Sequence, residues 1–315
     1  PPRSTLFPYT TLFRSGEETV EDFAEAKAAI AAWTGSRTKA QLLDDAMTHS
    51  LLIAPCSTAV DALASKQLAA RGFFGEQVRP DGRGLARMPG PFARFSRNQA
   101  VKPRPAPETG EHTDQVIREW TSNPPKRSHA KAKHDSSTRP LEGMKILDFM
   151  WAIAGPMTTR ILADYGATVI RVESASHIDA CRTMRPYVGG KPDVDGSALF
   201  QACNASKQMI AIDLSKPEAR PLIEDLVVWS DIVCESFSPG TIAEMGWGYE
   251  QLCKIKPDLI MLSTSLMGQT GPLSRYAGYG NLSAAITGFF ALTGWPDRAD
   301  RKSTRLNSSH TSTSY

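Results

Sequence analysis

Two stretches of this sequence, MKILDFM at 144–150 and LADYGATVIRVE at 162–173, decide its fold class. The first is a short apolar run, and the second ends in the β-branched run TVIRVE, so both predict buried strands. Between them, Gly155-Pro156 begins a helix that runs to about Tyr165, because proline is tolerated in the first turn of a helix. A strand, a helix and a second strand in this order predict a parallel β-α-β unit.

The same alternation continues towards the carboxyl end. Ser215 and Glu218 form a capping-box pattern that predicts a helix to about Trp229. A further helix is predicted from about Tyr249 to Ile255. Three more strands are predicted at 208–214, 231–237 and 259–265. We therefore predict an α/β fold over 140–298, a Rossmann-like parallel sheet with flanking helices whose ligands bind beyond the carboxyl ends of the strands.

The preceding part, residues 16–120, has a mixed α+β pattern. Helical spacing covers 19–34, and Thr38 with Gln41 forms a capping box before a second helix that ends near His49. The other predicted elements are a short strand at 51–53, short helices near 60–71, a strand at 73–79 and a closing helix at 110–120. Residues 121–139 are rich in proline, serine and basic residues, which predicts a linker.

Composition excludes several classes of protein. The chain has 315 residues and a formal net charge of +3, which is too small to indicate a nucleic-acid or membrane partner. No apolar run is long enough to span a bilayer. The five cysteines follow neither a zinc-site nor a disulfide pattern, so we expect reduced thiols, no metal and a cytoplasmic location.

The two ends differ in character from the interior. Residues 1–15 repeat the tripeptide Thr-Leu-Phe, and the last 14 residues contain no acidic side chain. We interpret 1–15 and 299–315 as translated adapter sequence and exclude them from the prediction of the fold.

Four common chemistries lack their motifs. Glu173 ends the second strand, where a dehydrogenase carries a ribose-binding acid, but the preceding turn at 152–156 lacks the G-x-G-x-x-G pattern. No Walker A motif, G-x-S-x-G elbow or H-E-x-x-H helix occurs either.

The motifs resemble those of class III CoA-transferases of the CaiB/BaiF type, which are similar to formyl-CoA transferase. The resemblance rests on PLEGMKILDF at 140–149, AGP at 154–156, LADYGATVIRVE at 162–173, ESFSPG at 235–240, GQTGP at 268–272 and Thr293-Gly294. The segment before the linker resembles the end of the same family, through IAPC at 53–56, RGFF at 71–74 and PAPETGEHTD at 105–114. We therefore expect an internal piece of a tandem fusion of two units; a circular permutant or an assembly chimera is the alternative.

The resemblance implies transfer of CoA between an acyl-CoA and a carboxylic acid through an aspartyl intermediate, with CoA as a substrate and no permanently bound cofactor. It assigns five residues to the CoA or substrate site: Ala154, Lys207, Phe237, Met245 and Tyr279. Lys207 is expected near the CoA phosphates, and a solvated surface lysine is the alternative. Phe237 and Met245 are expected against the adenine or pantetheine arm, and plain core packing is the alternative.

The family's aspartate nucleophile is expected beyond Thr293-Gly294, but Asp297 comes too early and no acidic residue follows Asp300. We therefore expect this polypeptide to be an inactive fragment of an enzyme whose intact form is an interlocked dimer. An acyl-CoA racemase of the same fold is an alternative, although Tyr279 stands where racemases carry a histidine. A non-catalytic CoA-binding or structural role is the other alternative.

Overall fold

A computed structural model describes residues 20–79, 82–97, 106–122 and 139–293 of the chain. These residues belong to two compact units, one formed by the part up to Ser65 together with the part from Tyr276, and the other by Lys66–Arg275. The predicted linker, apart from its ends, and both interpreted adapter segments lie outside the described residues. The domain boundaries expected from the sequence, which mark segments of family resemblance, stay a prediction.

Helices dominate the described residues before β3, and strands alternate with helices after it. The helices are α1 Val20–Gly35, α2 Lys39–His49, α3 Ala59–Leu63, α4 Lys66–Ala70, α5 Thr113–Ser122, α6 Ala154–Asp164, α7 Ala198–Asn204, α8 Ala219–Trp229, α9 Thr241–Glu244, α10 Tyr249–Ile255, α11 Gly280–Ile286 and α12 Phe289–Leu292. The strands are β1 Phe74–Val78, β2 Leu85–Pro89, β3 Lys145–Phe149, β4 Thr168–Glu173, β5 Gln208–Ala211, β6 Ile232–Glu235 and β7 Ile260–Ser263. Two short 3₁₀ turns lie at Ala180–Thr183 and Val188–Gly190.

The smaller unit is helical in its described part. Helix α2 begins with the predicted capping box, in which Thr38 and Gln41 exchange side-chain and backbone hydrogen bonds. The predicted strand at 51–53 is wrong, because this stretch has no strand partner among the described residues and the Ile53 carbonyl instead accepts a hydrogen bond from the Tyr276 hydroxyl. Ser57 N donates to the Ala285 carbonyl at 2.9 Å, so the two separate stretches of chain are joined within this unit.

The larger unit contains the predicted parallel sheet. Five strands pair in the order β5-β4-β3-β6-β7, and every pairing is parallel. Strand β3 is central, and four of its five residues are buried, as expected for a strand covered on both faces. The α/β prediction is therefore confirmed. Strands β1 and β2 form a separate antiparallel pair.

Two apolar clusters cover the faces of this sheet. The larger joins one face of the strands to helices α8 and α10, with Phe149, Ile223 and Trp247 among its buried residues. The smaller lies on the other face beneath α6 and contains Ile146 and Met150. The packing of these helices fixes the loops at the carboxyl ends of the strands.

One predicted helix start is wrong. Ser215 and Glu218 do not form a capping box; the Ser215 hydroxyl instead bonds the Asp213 carboxylate at 2.7 Å, and α8 begins only at Ala219. Helix α7 was not predicted, because it is short and its pattern of apolar residues is weak. Among the described residues, we find no helix with the length and apolar character needed to cross a membrane.

Candidate functional site

In a parallel sheet, a ligand site is expected at the carboxyl ends of the strands. At this edge of the sheet, the turn after β3 is the most tightly constrained segment. Helix α6 starts at Ala154, one residue after Ile153, which makes no side-chain capping hydrogen bond. Gly155 is required at this start, because a Cβ atom there would lie 2.8 Å from Met150 Cβ. The AGP motif thus allows the helix to begin directly against the end of the strand, and Ala154 is exposed there.

Below this turn lies a layer of charged side chains that are almost completely buried. Asp148, inside strand β3, accepts hydrogen bonds from Lys207 Nζ at 3.0 Å and from the Thr159 hydroxyl at 2.7 Å. The side chains of Asp148 and Lys207 are 0% and 2% exposed. Asn204 Oδ1 bridges this pair to the guanidinium group of Arg171, at 2.9 Å from Lys207 and 2.8 Å from Arg171.

Lys207 therefore sits in a place that its sequence did not indicate. Burial lowers the pKa of its ammonium group, and the neighbouring Asp148 carboxylate opposes that shift. It is not the solvated surface lysine that was the alternative. The predicted contact with CoA phosphates stays a prediction, and the geometry found gives Lys207 a second role as the counter-ion of Asp148.

The layer continues on the β4 side of the turn. Arg171 is fully buried and pairs with Asp179, which is also fully buried. Glu173 accepts hydrogen bonds at 2.8 Å from Asp179 N and from Arg182 Nε. Because its carboxylate is buried and engaged with protein groups, Glu173 does not present itself as a ribose-binding acid.

On the β6 side, the strand ends at Glu235 and the turn that follows contains Phe237. Glu235 is buried and accepts a hydrogen bond from Phe237 N at 2.8 Å. Burial raises the pKa of Glu235, while hydrogen bonds from Ser263 and Phe237 oppose the shift. The Phe237 ring lies 6.4 Å from the Trp151 ring, so the turns after β3 and β6 touch.

Phe237 and Met245 both pack, partly buried, against the larger apolar cluster. Because each side chain is only partly buried, it can pack in the core and still contact a ligand with its remaining surface. The structure gathers the turns that carry Ala154 and Phe237, places Met245 on the same cluster as Phe237, and puts Lys207 below the turn. Tyr279 belongs to the other unit, where it precedes α11 and is 40% exposed.

Several residues of this region were missed from the sequence. Asp148, Asp179 and Ser236 all bond backbone groups of the turn after β3. Only Asp148 gave a usable signal, since an acid inside an apolar strand must find a buried partner. The partners of Asp179 and Ser236 are distant in sequence and follow from the sheet order.

Comparison with known proteins identifies relatives of this chain. The family model described as CoA-transferase family III matches residues 7–113 and 141–311. The acetyl-CoA:oxalate CoA-transferase of Acetobacter aceti is 38% identical over 158 residues, which are 50% of this chain and 39% of that protein. The succinyl-CoA:glutarate CoA-transferase of Homo sapiens is 37% identical over 166 residues, 52% of this chain and 36% of that protein.

A solved structure is also similar. The crystal structure of a CaiB/BaiF family protein from Brucella suis is 38% identical, with a TM-score of 0.47, and the match covers 51% of this chain and 42% of that one. This chain thus spans about two fifths of the length of the curated relatives it matches.

Proposed function

Because the chain belongs to CoA-transferase family III, we propose that it takes part in moving CoA between an acyl-CoA and a carboxylic acid, and that residues 139–275 hold the CoA. The observation that carries this proposal is the contact between the turns after β3 and β6 at the carboxyl edge of the parallel sheet, with the Trp151 and Phe237 rings 6.4 Å apart. Ligands of such sheets bind at this edge.

The residues assigned by the resemblance support a CoA contact in different ways. Ala154 is exposed at the start of α6, where its small side chain lets a ligand approach the backbone. Phe237 and Met245 each bury one side in the apolar cluster. Their remaining surface is the apolar kind that a pantetheine arm or an adenine ring covers favourably.

The family's chemistry needs an aspartate that attacks the acyl-CoA thioester, forms an anhydride and releases the CoA thiolate. The thiolate then attacks the anhydride, which gives an aspartyl-CoA thioester and frees the donor acid. We propose that none of the aspartates in this chain is that nucleophile, since the resemblance places it beyond Thr293-Gly294 and Asp297 comes too early. We propose that the chain by itself binds CoA without transferring it. A hydroxylamine-sensitive adduct on the purified chain after incubation with an acyl-CoA would contradict this.

The names of the relatives indicate which carboxylic acids to test first. The two named relatives act on oxalate and on glutarate. Both are dicarboxylic acids, so we propose a small dicarboxylate as the acceptor of the intact enzyme.

Isothermal titration of the full chain with CoA tests the CoA site. We expect saturable binding that weakens about tenfold in Phe237→Ala, the loss expected for one aromatic contact. The matched control is Phe95→Ala, because Phe95 is 65% exposed and lies outside the two turns. Absence of CoA binding by the folded chain, or equal losses in both variants, would reject the proposal.

We also propose that the chain contains parts of two family units. The two separate matches of the family model, on either side of residues 114–140, support the interpretation as parts of two family units. The interlocked dimer of the intact enzyme and its cytoplasmic location stay predictions.

A further inference from the structure

The turn after β3 is held by an unusual series of hydrogen bonds. Three consecutive backbone N–H groups each donate to a side chain from a different place in the sheet. Met150 N donates to Asp148 at 2.9 Å, Trp151 N to Ser236 Oγ at 2.8 Å, and Ala152 N to Asp179 Oδ2 at 3.0 Å. Ser236 follows β6 and Asp179 follows β4, so the loops after both neighbouring strands are hydrogen-bonded to the turn.

Ala152 needs this support more than its neighbours do. Its φ angle is +64°, in the left-handed region that residues with a Cβ atom adopt only at a cost. It is one of three such non-glycine residues among those described. A conformation of this kind persists only where the surrounding structure holds it in place. The hydrogen bond from Ala152 N to Asp179 Oδ2 acts directly on that residue.

Asp179 is built to be a fixed acceptor. Its side chain is fully buried, and its two carboxylate oxygens take hydrogen bonds from Cys181 N, Ala152 N and Arg171 Nη2. Its own backbone N donates to Glu173 Oε1 at 2.8 Å. These hydrogen bonds hold both the backbone N and the carboxylate of Asp179, so they keep the carboxylate directed at Ala152 N.

We propose that Asp179, assisted by Ser236, is a positioning residue for CoA binding. It holds Ala152 left-handed and so sets the path of residues 151–154, the backbone segment that meets the acyl-CoA. This inference rests on the proposed function. Asp179 does not touch CoA; it acts through Ala152. A purely structural role, in which Asp179 only balances the buried charge of Arg171, makes a different prediction, because the path of the turn would then be independent of Asp179.

A double-variant cycle between Asp179→Asn and Ala152→Gly separates the two roles. Asparagine cannot serve all three donors, so we expect Asp179→Asn to weaken CoA binding about tenfold through misplacement of the turn. Glycine adopts the left-handed conformation without the cost of a Cβ atom. Ala152→Gly should therefore restore roughly fivefold of the affinity lost in Asp179→Asn, in line with the cost of a left-handed alanine. The affinity of Ala152→Gly alone is the reference against which the double variant is compared.

The control is Asp195→Asn. Asp195 also pairs with the charged layer, through Arg182, but its side chain is 81% exposed and bonds no group of the turn. We expect CoA affinity to stay unchanged in this variant. If Asp179→Asn binds CoA as tightly as the unchanged chain, or if Ala152→Gly restores nothing, the positioning role is rejected.

Ser236→Ala keeps the test decisive if Asp179→Asn does not fold. It removes the acceptor of the adjacent Trp151 amide and leaves no buried charge unpaired, and we expect a severalfold loss of CoA affinity. The backbone chemical shifts of Ala152 in the CoA-free protein give a readout that does not need CoA. They should report a left-handed residue in the unchanged chain and move in Ser236→Ala.

This second readout also separates the two proposals. If the unchanged chain binds no CoA, the proposed function fails, while moved Ala152 shifts would still show that the turn is held by these contacts. If CoA binds but the Ala152 shifts and the affinity are the same in Ser236→Ala and in the unchanged chain, the positioning role fails alone.

Discussion

The parallel-sheet region, 139–275, and the segment 66–122 belong to one compact unit, yet they are held in opposite ways. The sheet buries strand β3 between two apolar clusters. In the other segment, helix α5 has no buried residue and the β1–β2 pair is largely exposed. Its anchor is polar, because the fully buried Gln67 bonds the backbone of Met267, Thr270 and Leu273 at 2.7–2.8 Å.

The difference shows two routes to a stable contact. Apolar burial stabilises in proportion to area and tolerates small shifts. A buried amide with three hydrogen bonds stabilises only when the donors and acceptors are correctly oriented. Its loss leaves backbone groups without hydrogen-bond partners. Four variants test this contrast, given in order of decreasing change in stability.

The largest loss is expected where the sheet region itself depends on a polar contact. Lys207→Met leaves Asp148 buried without its counter-ion, which should lower the free energy of unfolding by about 4 kcal/mol. Urea unfolding measures it. Lys216→Met is the control, since Lys216 is exposed. A loss below that of the apolar variant described next would show that Thr159 and the Met150 amide alone suffice for Asp148.

A smaller loss is expected in the apolar cluster. Ile223 is fully buried there, and Ile223→Ala should cost about 3 kcal/mol through lost burial and the cavity left behind. In the segment 66–122, the equivalent truncation of Val78, which is 58% exposed, should change stability by less than about 0.5 kcal/mol. Urea unfolding of both variants checks this, and equal effects would abolish the contrast between the regions.

The anchor of the segment gives the third prediction. Gln67→Ala leaves two carbonyl groups and one N–H group without their partner, and we expect a loss of about 2 kcal/mol. The effect should be local, so hydrogen exchange at the Leu273 amide should accelerate more than exchange in β3. Glu76→Ala, at an exposed position of β1, is the control. Unchanged exchange at Leu273 would show that other contacts hold the segment.

The smallest effect concerns pH. Burial raises the pKa of Glu235 above its ordinary value of 4.5, so the folded protein holds this proton more tightly than the unfolded chain does. The resulting stability is full below pH 4.5 and is lost as the pH rises through the raised pKa. Glu235→Gln should remove this dependence and be more stable than the unchanged protein above that window, because the amide carries no buried charge. Unfolding at a series of pH values measures the difference, and a constant difference at every pH would contradict the raised pKa.

Much of the fold could be predicted because it depends on local patterns. The strands around LDF at 147–149 and TVIRVE at 168–173, and the capping box of Thr38, follow from periodicity and neighbouring residues. The errors also have local causes. The stretch 51–53 has the apolar character of a strand but no strand to pair with among the described residues, and Ser215 bonds a nearer carboxylate than the helix start predicted for it.

The alternation of strands and helices could be predicted from the sequence alone, and so could the edge of the sheet at which ligands are expected to bind. The residues that carry the family resemblance could also be read from it. The hydrogen-bond and ion-pair partners of those residues depend on the three-dimensional fold. Lys207 and Asp148 are 59 positions apart, and Trp151 and Ser236 are 85 apart. Such partners meet because the sheet order places β3 between β4 and β6, and burial then turns ordinary surface residue types into fixed charges and acceptors.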